Sequence, residues 1–164
     1  MIFLYRILKQ LDDLKKYDPT FDPYTLCQKL DIEILYFELG SILGFKTTYC
    51  GVSLIYINKD LPLLTKRFVI AHELGHIILH RGIKPLLLQY FDNSHFISQF
   101  ENEADTFAII LLLCNHYVND FFDTTTGDLL QELGIPKKLA PLFWDIFYQL
   151  KDNDQVLKDL VQTN

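Results

Sequence analysis

TKRFVIAHELGHIILH, residues 65–80, is the stretch on which the fold turns. Its apolar residues Phe68, Ile70, Ala71, Leu74, Ile77 and Ile78 recur at the three- and four-residue steps of a helix packed into a core, and Gly82 marks the exit. On a helix, residues four apart lie on one face, one turn apart. His72 and His76 therefore present two imidazoles to one point, and Glu73 lies on the neighbouring part of that face. This HExxH pattern suits a metal held by two histidines, with the carboxylate set back to contact a water rather than the ion. A buried helix also carries histidines that merely complete a core, so five residues alone leave both readings open.

Upstream, Gly51 to Asn58 (GVSLIYIN) alternates and carries the β-branched Val52, Ile55 and Ile57, and Asp31 to Phe37 alternates too. Both predict strands. Gly40 and Gly44 break the pattern between them, and Phe45 to Tyr49 is a candidate third strand of a small, largely antiparallel sheet. Asn58 to Pro62 is a turn. Earlier still, Ile7, Leu8, Leu11 and Leu14 define a helix within Phe3 to Tyr17. Asp22-Pro23 reads as a cap followed by a first-turn proline, opening a short helix to Leu30 with Leu26 and Leu30 inward.

Downstream, Ser98 to His116 predicts a second long helix, polar at first and then wholly apolar from Phe107 to Cys114, as a central core helix must be. Leu86 to Phe91 is ambiguous between helix and loop. After a turn at Asp123 to Gly127, Asp128 to Leu133 and Lys137 to Leu150 predict two helices parted by Gly134 and Pro136. The second carries Leu142, Phe143, Trp144, Ile146, Phe147 and Tyr148, an apolar load that calls for burial against the domain or a partner.

At 164 residues the chain suits one domain, 1–164, with a motif-bearing core at 31–114 and a helical tail at 115–164. The net charge of −6 and the scattered Lys and Arg lack the basic stripe that phosphate neutralisation needs, which disfavours direct nucleic-acid binding. Cys27, Cys50 and Cys114 form no CxxC pair, and an odd count favours a reducing compartment. Arg6 and Lys9 interrupt the apolar N-terminus, and the Phe107 to Cys114 run is far shorter than the roughly 20 residues a membrane span requires. A cytoplasmic location without membrane attachment is expected.

Two histidines leave zinc short of a third protein ligand. His80 continues the spacing, but at 1.5 Å per residue it stands about 12 Å from His72 along the helix axis, against zinc bonds of about 2 Å. It reads as a helix-end residue. The acids of ENEADTFA remain: Glu101, Glu103 and Asp105. They suit equally a solvated first turn favoured by the helix dipole. Beside an HExxH, Glu101-x-x-x-Asp105 has the gluzincin arrangement, in which a Glu binds zinc and an Asp one turn on orients a ligand histidine.

RFVIAHELGHIILH, preceded by IYIN and followed by ENEADTFAIILL, resembles the ImmA/IrrE family of metallopeptidases. The likeness spans roughly Asp31 to Cys114 and rests on Arg67-Phe68, on HELGH with His80 four residues later, and on the acidic string running into Phe107-Ala108. It implies an α+β fold with zincin-type active-site helices and a helical C-terminal tail. It also implies Zn2+ on His72, His76 and Glu101, with Glu103 as the fallback ligand, Asp105 orienting a histidine and Glu73 as the general base. The family commonly continues as FAxxLLMP; Leu113-Cys114 stands here where Met-Pro would, so the helix exit is expected to differ. Histidine and carboxylate ligands also accept manganese or iron.

The resemblance further implies a zinc endopeptidase that cleaves a helix-turn-helix repressor and so releases phage, mobile-element or stress genes. An acidic chain agrees in a general way with a basic DNA-binding partner. The rival reading is a non-catalytic zincin-fold module that sequesters a repressor or another protein, gripping it with the aromatic Leu142 to Tyr148 segment. A purely structural zinc is weaker still, because such sites close with four ligands rich in Cys. His95, His116, Tyr90 and Tyr117 are possible donors to a tetrahedral oxyanion, and none is singled out.

Overall fold

Val52 to Asn58 forms the middle strand of the sheet, since its alternation sets Ile55 and Ile57 on one face, both fully buried. The computed structural model describes residues 2–82, 94–119, 129–152 and 160. Three strands, β1 (Ile32–Phe37), β2 (Gly44–Tyr49) and β3 (Val52–Asn58), lie in the order β1-β3-β2. β2 and β3 form an antiparallel hairpin with Gly44 opposite Ile57 and Tyr49 opposite Val52. Cys50 and Gly51 close it with φ of 50° and 83°, the positive pair that matches the twist of two-residue hairpins.

The expectation of a largely antiparallel sheet holds for the hairpin and not for β1, which pairs with β3 in parallel, Ile32 beside Ser53 and Phe37 beside Asn58. The chain reverses twice between β1 and β3, and β3 then enters between its two predecessors. Alternating apolar residues do not encode that choice of neighbour.

On the face bearing Ile55 and Ile57 lies α3 (Leu63–Leu79). Close approach is possible because Gly44 has no side chain: a Cβ there would stand 2.7 Å from Val69 Cγ1 and 2.8 Å from the Tyr56 carbonyl oxygen. Across α3 runs α4 (Ser94–Asn119), whose Phe107 to Cys114 stretch is buried throughout, as its unbroken apolarity requires. With no proline at the expected exit the helix continues to Asn119. The two helices cross at Gly75, where a Cβ would lie 3.0 Å from Phe107 Cδ1 and 3.3 Å from Ala104 Cα.

The amphipathic α1 (Ile2–Lys15) buries Ile7, Leu11 and Leu14, one face at helical spacing. The short α2 (Pro23–Lys29) begins as its sequence predicts, with Asp22 Oδ2 accepting the Thr25 N–H at 2.9 Å and proline in the first turn. After α5 (Leu129–Glu132) and a 3-10 turn at Lys137–Leu139, α6 (Ala140–Asp152) turns Phe143, Ile146, Phe147 and Leu150 into the core while Tyr148 stays exposed. Most of the aromatic load is therefore absorbed by this chain itself. Gly134, at φ 68°, parts the two segments, and a Cβ there would overlap the Leu64 backbone carbonyl.

The ambiguous Leu86 to Phe91 stretch and the Asp123 to Gly127 turn lie outside the described residues. Cys27, Cys50 and Cys114 are all free, and burial pushes the thiols of Cys27 and Cys114 up to about 12, so both stay protonated. Among the described residues no helix is long and apolar enough to cross a membrane.

Candidate metal centre

The α3–α4 crossing determines which polar side chains meet. One turn of α3 sets His72 Nε2 and His76 Nε2 3.1 Å apart. From α4, Glu101 reaches both, with Oε2 3.4 Å from His72 Nε2 and Oε1 3.3 Å from His76 Nε2. Tetrahedral ligands on bonds of about 2 Å are separated by roughly 3.3 Å. The two imidazole nitrogens stand near that edge length and the Glu101 carboxylate spans both, one oxygen to each, so the donor set fits a metal ion such as zinc. Among the described residues, His72, His76 and Glu101 are the group of ligand atoms close enough to share a metal.

Each histidine is held from behind. His72 Nδ1 lies 2.8 Å from Asp105 Oδ1, which leaves Nε2 turned toward His76 and Glu101. Burial disfavours the charged ring, but hydrogen bonds to Asp105 and Glu101 outweigh it, and the His72 pKa rises to about 9 without metal. The same two imidazoles hold Glu101 far below the usual carboxylate range. These directions favour an imidazolium–carboxylate pair between His72 and Glu101, so a cation bound at His72 Nε2 would displace a proton. Glu101 is also the open side: its side chain is 54% exposed, against 14% for His72 and 13% for His76.

Glu73 is buried at 7% exposure. Burial pushes its carboxyl up, while the charges of His72 and His76 pull it down, with a smaller pull from Lys46. Lys46 comes from the edge strand β2, opposite Ile55, so it shares the sheet face turned to α3. Reading the sequence alone passed it over, because no motif joins a lone strand lysine to a helix glutamate.

Glu103 and His80 form a separate cluster. His80 Nε2 lies 2.9 Å from Glu103 Oε2, and both side chains are only 4% exposed. The same Glu103 oxygen accepts a bond from Arg6 Nη2 at 3.1 Å, and Gln99 donates to its other oxygen. His80 Nδ1 stands 3.1 Å from His76 Nδ1. Burial drives the His80 pKa down, so the ring is neutral. The helix-end reading of His80 describes its place, where it caps α3, and omits its connection to His76.

His116 is far along α4, lining a cleft of about 630 Å³ with Thr20, Asp22, Arg67 and Asn115. There Arg67 bonds Asn115 Oδ1 and faces Asp22 at 3.9 Å, while Asn115 Nδ2 donates to the Thr20 carbonyl at 2.7 Å. Arg67 thus ties α3 to α4 and to the turn before α2. The side chains of His95, Tyr90 and Tyr117 lie outside the described residues.

The sequence that builds this site has relatives among known proteins. The model of the IrrE N-terminal-like domain, a peptidase family, matches residues 27–143. The chain belongs to the IrrE N-terminal-like peptidase family. It is 35% identical over 133 residues to "Uncharacterized immunity region protein 2" of Bacillus phage phi105, covering 79% of this chain and 82% of that protein. It is 31% identical over 128 residues to metallopeptidase ImmA of Bacillus subtilis (strain 168), covering 73% of this chain and 72% of that one. Membership in a metallopeptidase family implies a metal and a protein substrate. Of the family-like sequence features, Arg67 works as a structural clip, whereas HELGH and Glu101 bring together the His72, His76 and Glu101 group.

Proposed function

We propose that the chain is a zinc endopeptidase in which His72, His76 and Glu101 hold the metal and Glu73 is the general base. The observation that carries this reading is the convergence of the two imidazole Nε2 atoms, 3.1 Å apart, with one Glu101 oxygen 3.4 Å from His72 and the other 3.3 Å from His76. Zinc bound there supplies a Lewis acid that lowers the pKa of a water to about 7 and polarises the scissile carbonyl. With only three protein ligands the site would leave room for a water, the pattern of catalytic rather than structural sites.

The chain's own groups divide the remaining work. Glu73 takes a proton from the attacking water and returns it to the leaving amine, the general-base and general-acid duty of a positioned carboxylate. Asp105 fixes the tautomer and orientation of His72. Lys46 offers a cation on the sheet side of Glu73. Glu73→Gln is expected to keep zinc while losing turnover, and His76→Ala to lose zinc. A Gln variant that cuts at the normal rate would refute the mechanism.

The substrate we propose is a helix-turn-helix repressor, met in the cytoplasm, whose cleavage releases phage, mobile-element or stress genes. The likeness to an immunity region protein of a phage supports this setting, and the acidic charge suits a basic partner better than nucleic acid. Incubation of the zinc-loaded protein with repressors encoded near its gene, read by mass spectrometry beside Glu73→Gln, tests it. Intact repressors in both samples would overturn the substrate assignment.

A further inference from the structure

We propose that His80, Glu103 and Arg6 form a positioning relay for His76, through which the docking of helix α1 sets the metal affinity of the site. The proposal rests on the metal-centre reading above. If Nε2 of His76 faces the metal, its proton is on Nδ1, and that N–H points at His80 Nδ1, 3.1 Å away. His80 must then accept on Nδ1 and carry its own proton on Nε2, which donates to Glu103 Oε2 at 2.9 Å. One tautomer assignment satisfies every nitrogen in the row. Glu103, 3% exposed, accepts from His80, Arg6 and Gln99, and Arg6 is the cation that compensates its buried charge.

Arg6 makes a second bond from the same nitrogen, to the Leu79 carbonyl at 3.1 Å, at the end of the helix that carries both histidines. A single guanidinium thus joins α1 to the α3 terminus and to the row behind His76. Helix α1 also buries Ile7, Leu11 and Leu14 in the core. It also lies before residue 27, where the family match begins, whereas His80 and Glu103 lie inside that match. The outer member of the relay thus lies outside the matched range and joins it through Glu103 and the Leu79 carbonyl.

Zinc affinity of the full chain, measured by chelator competition, and the visible spectrum of its cobalt form test the relay against a merely structural role. Glu103→Gln is expected to weaken zinc about 10- to 100-fold and to alter the cobalt spectrum, the usual effect of losing an outer partner of a ligand histidine. Arg6→Met, which keeps the apolar stem on a half-exposed residue, is expected to weaken zinc by roughly tenfold, with recovery in Arg6→Lys. Melting of the metal-free variants separates general destabilisation from a change at the site. If Glu103→Gln does not fold, Arg6→Met decides. Wild-type affinity and spectrum in folded Arg6→Met would overturn the relay while leaving the metal centre intact. Failure of the wild type to bind zinc more tightly than His72→Ala would overturn the metal centre itself.

Discussion

Gly75→Ala tests whether the metal centre depends on the closeness of the α3–α4 crossing. In an open helix the change would stabilise by about 1 kcal/mol. Here the new methyl would stand 3.0 Å from Phe107 Cδ1, 3.2 Å from Phe107 Cβ and 3.3 Å from Ala104 Cα. Carbon atoms pack at about 3.5–4.0 Å, so the helices must part by a few tenths of an ångström. Phe107 is fully buried and has no free direction in which to retreat. Overpacking of this kind costs about 1–3 kcal/mol, which leaves a net loss of about 1 kcal/mol after the propensity gain. In a chain of this size that is about 2–4 °C in Tm.

The larger effect is expected at the metal. Ala104 lies between Glu101 and Asp105 on α4, so the displacement acts on one ligand and on the group that orients another. Metal sites tolerate distance errors of about 0.2 Å, and zinc affinity should fall by roughly tenfold. Thermal unfolding of the metal-free protein and chelator competition read the two effects separately. A variant stabilised by the full 1 kcal/mol with unchanged zinc affinity would show that the crossing is not the constraint described.

Zinc binding at neutral pH should expel about one proton, from His72, whose pKa is raised to about 9 in the free site. Calorimetry in two buffers of different ionisation enthalpy reads it, and no release would refute the ion-pair description. In the metal-free protein the same shift gives stability that is fully present below the unfolded pKa of 6.5 and is lost as pH rises through about 9. Lys46→Met removes a charge that lowers the Glu73 pKa, so the acidic limb of the kcat/KM profile should move to higher pH; an unmoved limb would remove Lys46 from the site. Arg67→Met breaks the clip to Asn115 and should cost about 1–3 kcal/mol in urea unfolding, with zinc affinity of the folded protein unchanged.

Local patterns in the sequence carried a large part of this fold. Apolar spacing located α3 and the buried half of α4, Asp22-Pro23 located the start of α2, and alternation located all three strands. What the sequence leaves unread is pairing at a distance. Nothing in Ile32 to Phe37 says that the strand joins β3 rather than β2. The choice between Glu101 and Glu103 is of the same kind. Residues two apart on a helix point about 200° away from each other, so the two acids cannot share one site, whereas Glu101 and Asp105 can. Which side faces His72 and His76 depends on how α4 lies across α3, and Gly75 and Ala104 set that only once the helices are packed. His80 was visible as one more step of four along α3. Its purpose was hidden because Arg6 and Glu103 come from opposite sides of it in the chain.

In the proposed metal centre, the division of the ligands between two helices would also govern when the site can exist during synthesis. His72 and His76 become neighbours as soon as one turn of α3 forms, but a pair of imidazoles holds an ion only loosely. Glu101 emerges later and comes within reach only after α4 has packed across Gly75. Closing that loop costs entropy that grows only slowly with its length, so the delay is set by packing rather than by chain connectivity. On the proposed ligand set, tight metal uptake would report completed tertiary structure, and the ion would act as a latch across the crossing that stabilises the folded chain in proportion to the logarithm of free metal.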